Sequence, residues 1–323
     1  MKRKIIIDCD PGIDDSLALI YAIQHSDLEV VALTIVAGNV PVDLGVENAF
    51  KILERLNRLD IPVYAGADKP LVRDFVSAQD THGMDGLGES RINRTSNCQP
   101  QPQEASEFLA TYFQKAQDTS LITLGPLTNL AMAIKQNPQI GKHIKRFVSM
   151  GGSYKSHGNC SPVAEYNYWC DPHAAQFVYQ KLGRKIEMVG LDVTRAIVLT
   201  PNLLEYMRFL QPEVAEFVGR ITRFYWDFHW EYEHIIGCVI NDPLAIAHFL
   251  HKDLCTGFDS YVEVVTEGIA LGQTVVDAYD FYHKPANAYI ATQVSPSLFF
   301  QDFLAILLNQ PKETIAQDLS SLL

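Results

Sequence analysis

Cysteine is present in no useful arrangement. Cys9, Cys98, Cys160, Cys170, Cys238 and Cys255 are scattered, with no Cys-x-x-Cys pair and no regular spacing. That pattern speaks against a thiolate metal knuckle or a disulfide framework and fits reduced thiols. Positive charge is also scarce: 26 Lys and Arg face 38 Asp and Glu, a formal net charge of −12. No Lys/Arg-rich run offsets it, so no nucleic-acid partner and no anionic-membrane partner is expected, while a neutral small molecule stays open. Long hydrophobic runs are missing as well. The basic start MKRK leads into only three apolar residues, Ile5 to Ile7, whereas a signal peptide or a membrane span needs many more. A cytoplasmic location is the expectation from these absences. There is no low-complexity linker and no internal repeat, so residues 1–323 read as a single domain.

What is present is ordinary for a large core: 47% apolar and 20% charged residues, with mean hydropathy near zero. Short apolar runs alternate with amphipathic stretches. KIIID (4–8), VVALTIVAG (30–38), IPVYAG (61–66), SLITLG (120–125), RFVSMGG (146–152) and IEMVGLDVT (186–194) have the length and near-absence of charge of buried strands. DDSLALIYAIQ and VDLGVENAFKILERLNRL between them carry apolar residues at three- and four-residue steps. Strands alternating with helices imply right-handed βαβ units, hence an α/β fold with a mostly parallel central sheet flanked by helices. After about residue 200 the pattern becomes helix-rich. DSYVEVVT and GQTVVDAYDFY then read as an antiparallel pair, followed by terminal helices. In open α/β sheets ligands bind outside the carboxyl ends of the strands. Polar segments stand at those ends: DCDPGIDD, AGN, LGPLTN and MGG.

The first of them places Asp8, Asp10, Asp14 and Asp15 within eight positions. Asp8 and Asp10 share a strand face by the period of two. Pro11-Gly12 turns the chain, and Asp14 and Asp15 open the next helix, where the dipole favours negative charge. Any one of them alone is most simply a cap or a solvated acid. Four on one turn raise each other's pKa unless a cation sits among them. A hard divalent ion with oxygen ligands, Ca²⁺ or Mg²⁺, suits the cluster. Histidine and cysteine do not cluster there, which argues against zinc. Phosphatases of the haloacid-dehalogenase type also place Asp-x-Asp after the first strand, but that motif wants a small hydroxylic residue soon after, where Pro-Gly and a second Asp pair stand here.

The full pattern Asp-x-Asp-Pro-Gly-x-Asp-Asp-x-x-Ala-Leu resembles the nucleoside N-ribohydrolase family, the inosine-uridine-preferring nucleoside hydrolases. The resemblance covers nearly the whole chain: TIVAGNV (34–40), His82-Gly83, LGPLTNLAMAI (124–134), VSMGGS (148–153), GNCSPVAEYNYWCDPHAA (158–175), GLDVT (190–194) and NDPLAIA (241–247) follow in order. It implies Ca²⁺-dependent hydrolysis of the N-glycosidic bond of ribonucleosides in nucleoside salvage, by a homodimer or homotetramer. Asp10, Asp15 and Asp242 match metal ligands, with the Leu124 main-chain carbonyl. Asp10 also matches the general base, and Asp8 is expected to orient Asp10 or the turn. Asp14 resembles the partner of the ribose 2′-hydroxyl. Asn39 and Asn167 resemble sugar-hydroxyl partners, Asn159 and Glu165 the pair gripping the 5′-hydroxyl, and Met150 a floor residue.

One position departs from the pattern. Family members place a histidine before the late Asp as an acid near the leaving base, and here Asn241 stands there. An amide donates a hydrogen bond but delivers no proton. His82 remains as a titratable group with an ordinary pKa in the useful range, and Tyr225 and His234 of the aromatic segment 225–234 are base-side candidates. Without a strong acid, bases that tolerate leaving as anions are favoured, which leans towards uridine and inosine. A catalytically silent nucleoside- or ribose-binding protein, or a hydrolase of another N-riboside, are the competing readings.

Overall fold

The computed structural model describes residues 2–320. Among them the strands are β1 Arg3–Cys9, β2 Leu28–Ile35, β3 Val63–Ala65, β4 Thr119–Thr123, β5 Phe147–Met150, β6 Ile186–Val189, β7 Val198–Leu199, β8 Cys238–Val239, β9 Cys255–Ser260, β10 Val262–Val264, β11 Thr274–Val276 and β12 Ala288–Val294. Eight form one sheet in the order β3-β2-β1-β4-β5-β6-β12-β9. All neighbours in it are parallel except the antiparallel edge pair β12–β9. The central strand β1 is near-continuously apolar because helices cover both faces of the sheet: Ile5 and Ile7 enter one core, Ile6 the other. Asp8 and Asp10 lie on the Ile6 side by the same alternation.

Chain order fixes where the site falls. From β1 the chain runs outward through β2 and β3, then crosses back to start the other half with β4. The gap between the carboxyl ends of β1 and β4 is therefore the switch point at which such sheets bind ligands. DCDPGIDD leaves β1 and LGPLTN leaves β4 at that gap.

Two expectations are corrected. IEMVGLDVT is not one strand: β6 ends at Val189, and Leu191–Thr194 is a helical turn with Gly190 before it. A Cβ on Gly190 would meet the Gly152 carbonyl oxygen at 2.5 Å, so the chain turns there on a residue with no side chain. The C-terminal part does hold the antiparallel pair β10–β11, but β12 forms where terminal helices were expected, and it joins the main sheet together with β9, which starts ahead of that pair.

Helices Ile13–Gln24 and Asp242–Leu250 both begin at the switch point, with Asp14, Asp15 and Asp242 in their first turns. Their far ends meet at His25 and His251, the two C-cap residues. Asp302 of helix Pro296–Leu307 joins them. Its Oδ2 lies 3.1 Å from His251 Nε2 and 3.7 Å from His25 Nε2 and accepts from the Tyr21 hydroxyl, while Lys312 donates to Oδ1 at 2.7 Å. His25 Nδ1 accepts the Asp27 N–H at 3.1 Å, so its hydrogen sits on Nε2. Tyr21 and Lys312 thus donate to this carboxylate with the two imidazoles beside it, and His25, which faces it with an N–H rather than a lone pair, does not suit a metal cage. Burial pushes the Asp302 carboxyl up, but the histidines, Lys312 and Tyr21 around it hold it well below the usual carboxylate range.

A carboxyl depressed in the folded state adds stability above its unfolded pKa near ~4 and loses it as pH falls towards the folded value. Asp302→Asn is expected to cost about 2–4 kcal/mol at pH 7. The gap from the parent should narrow as pH is lowered from 5 to 3, as read by urea denaturation. An equal gap at both pH values would contradict it.

Candidate active site

The carboxylates from the first motif are held by backbone and amide donors. Asp8 is fully buried; its Oδ2 accepts from Thr34 Oγ1 at 2.5 Å and Asn129 Nδ2 at 2.9 Å, and its main-chain carbonyl from the Leu124 N–H at 2.7 Å. It therefore ties β1 to β2 and to the segment leaving β4. Asp15 accepts the N–H groups of Asp10 at 3.2 Å and Gly12 at 3.0 Å, which fixes the turn between strand and helix. Asn39 binds the cluster twice, through its N–H to Asp10 Oδ2 at 2.7 Å and its Nδ2 to Asp15 Oδ2 at 2.8 Å. Asp14 Oδ2 accepts from both the N–H and Nδ2 of Asn241, at 3.2 and 3.1 Å.

Asp14, Asp15 and Asp242 bring carboxylate oxygens within 4.8 Å of one another. Asp10, fully buried beside them, keeps one oxygen, Oδ1, with no partner among the described residues. Burial, then the neighbouring negative charges, pushes the Asp10 and Asp242 carboxyls well up and that of Asp15 to about 6. Buried carboxylates that repel one another, with one oxygen unused, fit a hard divalent cation; the donor set is all oxygen.

Two glycines explain the tight fit around Asp10. A Cβ on Gly38 would lie 2.0 Å from Asp10 Oδ2, and one on Gly125 would lie 2.4 Å from Oδ1. Only backbone can pass on either side of this carboxylate.

Above this floor lies a cavity of about 360 Å³. Asp14, Asn39, Leu124 and Asp242 line its base, and Met150, Asn159, Glu165 and Asn167 one side. Asp10 and Asp15 lie beneath its surface. Glu165 caps helix Tyr166–Cys170: Oε1 accepts the Asn167 N–H at 2.8 Å, and Oε2 those of Gly152 at 2.8 Å and Tyr168 at 3.2 Å. Burial lifts its carboxyl to about 7 against those hydrogen bonds. Asn159 Oδ1 accepts the Tyr166 N–H at 2.9 Å. Asn167 Nδ2 donates to the Leu124 carbonyl at 2.6 Å, which leaves that oxygen a second lone pair.

His82, Tyr225 and Asn241 form the opposite wall. His82 packs on Tyr225, ring centroids 5.2 Å apart, and Asn241 Nδ2 lies 3.4 Å from the Tyr225 hydroxyl. Two expectations change here. His82 does not keep an ordinary pKa, because burial lowers it. Its Nδ1 accepts the Ile13 N–H at 3.1 Å, so the neutral ring presents Nε2–H to the cavity. His234 is not part of the wall: it is exposed, at φ 55° in the left-handed C-cap of helix Pro212–Glu233, where the chain turns away from the cavity.

Sequence reasoning passed over Arg195 and Glu233. Both line the cavity, joined by a 2.6 Å ion pair that ties the end of the aromatic helix to the segment after β6. Their separation in sequence left no local signal. His229, also lining the cavity, donates from Nδ1 to the Tyr225 carbonyl at 2.8 Å.

An acid-floored cavity at the switch point of a mostly parallel sheet is accompanied by a match to one class of enzyme over nearly the whole chain. The chain belongs to the nucleoside hydrolases: the family described as inosine-uridine preferring nucleoside hydrolase matches residues 5–301. It is 40% identical over 296 residues to the pyrimidine-specific ribonucleoside hydrolase RihA of Shewanella oneidensis, covering 90% of this chain and 91% of that protein. RihA of Salmonella typhimurium is 36% identical over 308 residues, with 94% and 98% covered. Among solved structures, the purine-preferring ribonucleoside hydrolase from Gardnerella vaginalis superposes with a TM-score of 0.88 at 30% identity, over 97% of this chain and 99% of that one. The plant nucleoside hydrolase PpNRh1 gives 0.90 at 29% identity, over 95% and 99%. The protein is a ribonucleoside hydrolase that cleaves N-glycosidic bonds.

Gly125→Ala pushes a methyl group into the Asp10 carboxylate. Ribose release from nucleosides is expected to fall about a hundredfold with the near-UV circular dichroism unchanged. Activity within twofold of the parent would show that the placement of Asp10 is not what the reaction uses.

Proposed function

We propose that this protein is a Ca²⁺-dependent hydrolase of pyrimidine ribonucleosides, with uridine foremost, acting in nucleoside salvage. The observation that carries it is the buried carboxylate floor with Asp10 Oδ1 unpartnered. Asp10, Asp15, Asp242 and the Leu124 carbonyl would hold the ion, with Asp14 alongside. When bound, the cation neutralises the carboxylates and makes nearby water more acidic.

The chain's own residues divide the remaining work. Asp10 Oδ1 takes the proton of the attacking water as general base. Asp14, Asn39 and Asn167 hold the ribose hydroxyls, with Met150 beneath the ring. Asn159 and Glu165 hold the 5′-hydroxyl, remote binding energy that can be realised in the transition state. The surrounding carboxylates stabilise positive charge developing on the ribosyl carbon. A 5′-phosphate would meet Glu165, so nucleosides are favoured over nucleotides.

Base departure rests on donors rather than on a strong acid. His82 offers a neutral N–H and Tyr225 an O–H, while the Asn241 amide donates to Asp14 and Tyr225 and holds that wall in place. Uracil, which leaves as a stabilised anion, needs least help from such a wall. The pyrimidine-specific names of the relatives favour the same side. A homodimer or homotetramer and a cytoplasmic location accompany this reading; no helix among the described residues is long and apolar enough to cross a membrane.

Ribose release from uridine, cytidine, inosine and adenosine separates the possibilities. Uridine is expected to be fastest, and Asn241→His should raise the cytidine and adenosine rates about tenfold or more while leaving uridine little changed. Adenosine equal to uridine in the parent, with no response to the substitution, would remove the leaving-group argument.

A further inference from the structure

The segment 72–78 has neither helix nor strand, and its last three residues border the cavity. Val72 and Val76 are 68% and 45% exposed, and the apolar anchors of the segment are Phe75, packed against the core, and the buried Ala78. Val76, Ser77 and Ala78 line the cavity, and the next turn, Gln79–His82, delivers His82 to the base-side wall. Its position therefore sets part of the active-site geometry.

Helix Tyr166–Cys170 holds it from below. The Arg73 guanidinium stacks on the Trp169 ring at 3.9 Å and donates to the Trp169 carbonyl. The Tyr166 hydroxyl lies 2.7 Å from the Gly38 carbonyl and 2.8 Å from the Val76 carbonyl. No other donor reaches either carbonyl among the described residues. One phenol hydrogen thus serves two strands of loop, pinning Val76 against the turn whose next residue, Asn39, donates to Asp10 and Asp15. The Asn39 carbonyl in turn accepts the Ala78 N–H at 3.1 Å. Tyr166 itself stands between Glu165 and Asn167, so cover, floor and sugar side converge on one side chain.

We propose that Tyr166 is a positioning residue for nucleoside hydrolysis, its hydroxyl fixing segment 72–78, and through it His82, against the Gly38–Asn39 turn. The assignment rests on ribonucleoside hydrolysis in this cavity and not on which base is preferred. A purely structural tyrosine would act through its ring, which lines the cavity. A hydroxyl that only staples loops acts on how well the site is formed for substrate. Burial raises the phenol pKa, so the group stays a donor across the working pH range.

Tyr166→Phe keeps the ring and removes the staple. The expected result is a rise of about tenfold in KM, the scale of one lost hydrogen bond, with a smaller change in kcat and an unchanged melting temperature. KM is measured by ribose release from uridine, and from inosine in parallel so that base preference does not decide the outcome. A second readout needs no substrate. Lys69 precedes Pro70, so Arg73–Asp74 is the tryptic bond of this segment; cleavage there should be several-fold faster in the folded variant than in the parent, and slowed again by ribose. Unchanged KM with unchanged cleavage would overturn the proposal, as would a loss of activity that only follows a fallen melting temperature.

Discussion

The energetic tension at this site is carboxylate against carboxylate. Asp10, Asp14, Asp15 and Asp242 are brought together out of water, and the donors to the first three among the described residues are backbone N–H groups and asparagine amides rather than basic side chains. Such an arrangement raises carboxyl pKa values and costs stability until a cation joins it. The surrounding structure is built to keep the groups from moving apart. Two helices point their N-termini at the cluster, where the dipole offsets part of the charge. Glycines at 38 and 125 let backbone close on Asp10 from both sides.

The same two helices explain why distant parts of the chain matter to the site. Helix Ile13–Gln24 is about 18 Å long by its residue count, and its opposite end is bound to that of Asp242–Leu250 through Asp302. A rigid pair, closed at one end by attraction, holds the repulsive ends in register at the other. The C-terminal helix contributes Lys312 to that closure, so residues that never approach the cavity help to shape it.

Much of this was legible in the sequence because the signals are local. The run IIIDCDPGIDD reports a buried strand, a turn and an acidic helix start within a dozen residues, and the structure has each in that place. The polar ends after β1 and β4 pointed to the switch point for the same reason. What was missed depends on tertiary contact. AYIATQV becomes β12 because β6 and β9 lie on either side of it, a pairing no local pattern encodes. His82 looked titratable from residue type alone; burial and the Ile13 N–H decide otherwise. His234 sits two residues after the cavity-lining Tyr232, yet the left-handed turn at the helix end carries it outside.

Everything at the site turns on whether the buried carboxylates act together as one cation site. Calorimetric titration of the chelator-stripped protein with Ca²⁺, in parallel with Asp242→Asn, tests it most directly. One Ca²⁺ should bind per chain in the parent and be severely weakened in the variant, with ribose release returning in proportion to occupancy. Stripped protein that binds no Ca²⁺ and still hydrolyses nucleosides at the full rate would contradict it.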